Sequence, residues 1–238
     1  MLDFYLIVSD YAEAYGEGWL APANRLIPPN VFPFEHRGLA AKYAVLSEAD
    51  LRRECGPGAR TVSVWARFAQ PSRLAWASDQ TAMSRIAQSV ALAAPTLLSL
   101  ADPMCGADAP QPLEVWRRGF ELTYGCELRA ERAHRPGSIV DHDPARYARF
   151  SNAIGEPECV TAEQAVREWR RLRRAGKWMS VLRLAKASFT FAGGIDYLAW
   201  KINRHAGTSI AIKPWQRRWP LLGALTLLPR LLRGGAIR

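Results

Sequence analysis

No stretch of the 238 residues approaches the roughly 20 consecutive apolar positions that a bilayer-spanning helix needs. Cysteine is scarce and dispersed. Cys55, Cys105, Cys126 and Cys159 form no C-x-x-C pair, and no histidine is spaced to complete a zinc site. They read as reduced thiols of a cytosolic protein. His36, His134, His142 and His205 stand isolated, and none is assigned chemistry. A secretory leader is not expected, because the apolar opening carries Asp3 and Asp10 and lacks basic residues. Acids are nearly missing from the last third. From Trp169 to Arg238 there are 15 Lys and Arg against one acid, Asp196, a net charge of +14. Residues 1–168 hold 17 against 21, a net charge of −4. A mildly acidic body with a strongly basic end points to a polyanionic partner, either nucleic acid or an anionic membrane surface.

What is present suits a folded chain. Hydrophobic residues make up 49%, the level of an ordinary globular protein, and the length allows one or two domains. MLDFYLIVSD is rich in strand formers and short enough to be a buried strand. Residues 12–26 predict a helix weakened by Gly16 and Gly18 and ended by Pro28 and Pro29. A hairpin follows, with strands at 30–36 and 40–46 around a turn at His36–Gly38. Ser47 caps a helix with an acidic first turn, which the Gly56–Gly58 segment breaks. Two short elements flank Gln70–Pro71, the second a strand at 72–77. Helices are predicted at 79–100, 112–124, 143–154, 161–175, 178–188 and 194–206, with residues 189–194 forming a turn before the last. The pattern is an α+β front half followed by a helical, increasingly basic back half.

The first acid is the informative one. An unpaired charge buried in an apolar strand costs several kcal/mol, so Asp3 needs a partner, and a metal ion is a common one. A salt bridge to one of the many arginines serves as well. Alternate residues share a face, so Asp10 points away from Asp3, about 23 Å further along the strand. Asp10 suits capping of the next helix. DHD at 141–143 looks metal-like, but Pro144 follows directly, so helix capping explains it better.

MLDFYLIVSD, AKYAVLS at 41–47 and ARFAQPSRL at 66–74 together resemble the mitochondrial-type phosphatidate cytidylyltransferases. LTYGCELR at 122–129 and SFTFAGG at 188–194 support the likeness more weakly, and the order holds over most of the chain. The resemblance implies a truncated nucleotidyltransferase (polymerase-β-like) mixed sheet at 1–77, a helical domain at 78–158 and a basic, helical membrane-binding region at 159–238. It implies conversion of CTP and phosphatidic acid to CDP-diacylglycerol and pyrophosphate, with Mg²⁺, by a peripheral protein on the cytoplasmic face of the membrane. Which nucleotide and which lipid phosphate are used stays open.

That chemistry asks for carboxylates on Mg²⁺ and for cations on phosphates. The resemblance implies Asp3 as a metal ligand. Glu35, on the face of Val31 and Pro33, is either a further ligand or a solvated residue at the hairpin mouth. Lys42, among apolar neighbours, either snorkels to the strand edge or aims at a phosphate, and the resemblance favours phosphate. Arg67 reads as a phosphate ligand or a surface ion pair, with Arg73 nearby, since a guanidinium binds two oxygens at once. Tyr124 and Arg129 are expected to line the cleft from the helical side, although Glu127 could pair with Arg129.

Membrane contact is expected from Trp215, Arg217, Arg218, Trp219, Leu221, Leu222, Arg230 and Arg233. Trp at a boundary, Arg on one side and Leu on the other are what an interfacial segment needs. The competing reading packs those leucines on the protein's own core. The chain departs from the superfamily in two ways. No Gly-Ser turn stands ahead of the first strand, and Met1 occupies the first position of a D-x-D pair. The expected explanation is that Met1 is internal to a longer protein, with a different phosphate grip or lost catalysis as alternatives. The competing function is non-catalytic membrane or lipid binding on the same scaffold, and nucleic-acid binding ranks lowest.

Overall fold

The computed structural model describes residues 2–106, 111–127, 135–155, 158, 160–190 and 211–218. It is α+β: a three-stranded mixed sheet accompanied by helices. The helix predicted at 194–206 lies outside the described residues.

The chain divides into two compact units. The first comprises Met1–Ser47, Leu128–Glu131 and Trp178–Arg238. Its strands are β1 (Leu2–Val8), β2 (Asn30–His36) and β3 (Leu39–Ser47), in the order β1-β3-β2. β3 runs parallel to β1 and antiparallel to β2. The hairpin turns where expected, with Arg37 at φ 49° and Gly38 at φ 75°, both in the left-handed region. β1 corrects one expectation: among the described residues it is an edge strand, and Leu2, Asp3, Phe4 and Leu6 are exposed rather than buried.

The helix expected at 12–26 is two, α1 (Tyr11–Tyr15) and α2 (Leu20–Leu26). Gly16 and Gly18 at φ 66° and 143° open the chain between them. The two pack their apolar side on one end of the sheet, where Tyr11, Ala21 and Val45 form a core flanked by Val8, Tyr15, Phe32 and Tyr43. Asn24 is fully buried there and donates to the Val45 carbonyl at 2.9 Å, so its burial leaves no amide proton unanswered on that side.

The second unit, Glu48–Glu127 and Arg132–Lys177, is helical. It holds α3 (Glu48–Cys55), α4 (Trp65–Phe68), α5 (Gln80–Ala91), α6 (Ala93–Ala101), α7 (Pro112–Tyr124), α8 (Arg135–His142) and α9 (Pro144–Ile154). Residues 71–77 are not a strand: every residue from Pro71 to Trp76 is exposed, so the Leu74–Trp76 alternation has no surface to bury. The expected helix 79–100 breaks at Leu92, because Pro95 has no N–H to continue the hydrogen-bond ladder. α8 was not foreseen.

α10 (Ala162–Thr190) replaces the two helices expected at 161–175 and 178–188. Its residues up to Lys177 belong to the second unit and the rest to the first. A short α11 (Pro214–Arg218) completes the described elements.

Candidate functional site

The parallel register of β1 and β3 sets Asp3 directly beside Lys42, with Pro33 next in the same row on β2. Residues opposite one another across a sheet share a face, so the three side chains stand together. The Lys42 ammonium lies 3.3 Å from the Asp3 carboxylate, and the two side chains are 37% and 34% exposed. Glu35 belongs to the same face, two residues beyond Pro33 and opposite Ala40, and it is exposed. All three charges of the sheet thus sit on one side. Lys42 is on the middle strand, hydrogen-bonded on both flanks, which fixes its Cα more firmly than an edge or loop would.

A half-exposed ion pair of this kind is worth about 0–1 kcal/mol. The pair therefore does little for the fold and can be exchanged for other partners at low cost. Mg²⁺ typically keeps several waters and takes one or two carboxylates plus substrate phosphate oxygens, and a single accessible Asp with an adjacent ammonium fits that demand. Among the described residues, no three His, Cys, Asp or Glu side chains converge as a metal cage.

The other expected site residues are distributed as follows. Arg67 is exposed on α4, Arg73 is exposed in the extended segment that follows, and Tyr124 is the half-buried last residue of α7; all three belong to the helical unit. Arg129 lies outside the described residues. So do Trp219, Leu221, Leu222, Arg230 and Arg233. Trp215, on α11, is 43% exposed, and Arg217 and Arg218 follow it in that helix.

The two acids read as caps behave as caps. Asp10 accepts from the Ala12 N–H at 2.6 Å and pairs with Arg25 at 3.0 Å; the first contact and then the second hold its carboxyl below the usual carboxylate range. Asp143 caps α9 through Arg146, whose side chain and backbone N–H lower its pKa likewise.

Sequence reasoning missed a second cationic feature. Lys186, 8% exposed on α10, donates to the carbonyls of Ile27 and Pro29, and Arg183 donates to that of Pro28 at 2.9 Å. Burial, helped by the Arg183 charge, pushes Lys186 down to about 7. The available signal was the i, i+3 spacing of two cations in an otherwise apolar stretch of helix. The chain matches no protein-family model and no curated protein.

Proposed function

We propose that this chain is a Mg²⁺-dependent nucleotidyltransferase on a polymerase-β-like sheet, transferring CMP from CTP to phosphatidic acid at the cytoplasmic membrane surface. The observation that carries the reading is Asp3 beside Lys42 on an accessible face of a parallel strand pair. In the reaction an oxygen of the lipid phosphate bonds to the α-phosphorus of CTP. The bond from that phosphorus to the bridging oxygen breaks, and pyrophosphate leaves with the electron pair. Mg²⁺, when bound, would neutralise charge on the triphosphate and the leaving group.

Asp3 would hold the ion, with Glu35 the second carboxylate on that face. Lys42 would turn its ammonium from Asp3 to a phosphate oxygen, an exchange that costs little because the exposed pair is weak. The test incubates the full chain with radiolabelled CTP, Mg²⁺ and vesicles containing phosphatidic acid, then counts label in the organic phase. Label enters lipid with the native chain and falls about a hundredfold or more with Asp3→Asn, the scale of a lost electrostatic catalytic contact. No lipid label from the native chain overturns the reading.

The ion pair itself favours a second reading, a non-catalytic lipid-binding scaffold in which Asp3 and Lys42 only satisfy each other. That reading expects vesicle binding without transfer.

A further inference from the structure

Among the described residues, the opposite face of the sheet carries no charged side chain. Leu2, Phe4 and Leu6 on β1, Phe34 on β2 and Leu39 on β3 all stand on it. They are exposed by 59%, 45%, 49%, 51% and 68% respectively. A soluble surface rarely leaves this many large apolar side chains contiguous without a use for them. Their arrangement is graded. α1 and α2 cover the end of the face near Val45, whereas at the other end Leu2 and Phe34, on either side of a buried Ala41 in the same row, and Leu39 at the hairpin tip are exposed. At the tip, His36 stacks on Phe34 with ring centroids 6.4 Å apart, and Arg37 occupies the turn. Glu35, the one acid of the tip, points to the other face with Asp3.

We infer that this hairpin tip and the adjoining edge of β1 are a wedge that enters the interfacial layer of an anionic bilayer. The inference rests on the lipid-directed reading above and names the surface that would meet the lipid. Apolar side chains beside a cation, with no carboxylate on their face, are what the headgroup boundary accepts. Charge selects a bilayer over a second copy of the chain. The unit that bears the face holds 14 Lys and Arg against seven acids, so two copies brought together would repel, while anionic lipid attracts. The wedge lies on the side of the sheet away from Asp3 and Lys42.

The test sediments the full chain with vesicles of phosphatidylcholine alone or with one third phosphatidylglycerol. Phe34→Asp with Leu39→Asp weakens partition to the anionic vesicles by about tenfold or more, since two interfacial apolar anchors become charges. Phe34→Trp with Leu39→Phe keeps it. Because aspartates could disturb the hairpin, Leu39→Ser alone, at an exposed position, serves as the milder variant and lowers partition about threefold. Unchanged partition in either weakened variant overturns the inference. So does native chain that sediments as a dimer and turns monomeric in the aspartate variant without losing vesicles, or one that binds RNA and no vesicles. Transfer to a short-chain, water-soluble lipid phosphate needs no bilayer, so the aspartate variant keeps it. Native chain that binds vesicles through this tip but transfers nothing removes the proposed activity and leaves the wedge standing.

Discussion

Gly176, inside α10, lies against the backbone of Cys126. A Cβ at Gly176 would meet the Cys126 carbonyl oxygen closer than any real contact allows. Gly176 falls between the helices expected at 161–175 and 178–188, yet it is a point of close approach inside one continuous helix. Gly→Ala inside a helix ordinarily stabilises by about 1 kcal/mol. Here the obstacle is backbone, which cannot rotate away, so Gly176→Ala destabilises by about 1–3 kcal/mol, as overpacking does. Urea denaturation checks the sign.

Lys186 gives the protein a pH dependence of known direction. Its folded pKa, about 7, lies below the ordinary lysine value of 10.5. The unfolded chain therefore binds the extra proton between those values, and stability contributed by this group rises with pH across that window. Below about pH 7 the cost of burying the charge is present in full. Lys186→Met removes the proton along with the contacts to Ile27 and Pro29. The expected result is a chain whose stability, followed by chemical denaturation from pH 7 to pH 10, rises less than that of the native protein.

Trp169 ties α10 to the helical unit in two ways. Its indole N–H donates to the Leu100 carbonyl at 2.9 Å, and its ring meets Trp65 edge-on with centroids 6.0 Å apart. Trp169→Phe preserves most of the ring contact but leaves that buried carbonyl without its donor. The cost is about 1–3 kcal/mol, with thermal denaturation as the measure. Trp169→Ala loses the ring as well and costs about 3–5 kcal/mol.

How far each element could be read depended on what decides it. β2 and α7 sit where their own residues place them, because the Arg37–Gly38 turn and the Gln111–Pro112 start are local signals. Leu74 and Trp76 alternate like a strand, but a strand needs a neighbour, which no single segment reveals. The close approach at Gly176 depends on Cys126, far away in sequence. At the candidate site, Asp3 and Lys42 were each legible as out-of-place charges in apolar strands. Their adjacency was not, since it is the parallel register that pairs Leu2 with Ala41 and carries Asp3 to Lys42. The exposed face of Leu2, Phe4 and Phe34 was hidden for a related reason. β1 reads as buried until the order of the described strands puts it at an edge.

The measurement that bears most directly on the central claim exchanges the pair, Asp3→Lys with Lys42→Asp. The two charges stay adjacent, so an ion pair forms again and stability changes by less than about 1 kcal/mol. If Asp3 serves Mg²⁺ and Lys42 serves phosphate, the exchanged chain is folded yet transfers no CMP to phosphatidic acid under conditions where the native chain does. An exchanged chain as active as the native one, or a native chain with no transfer at all, contradicts the account.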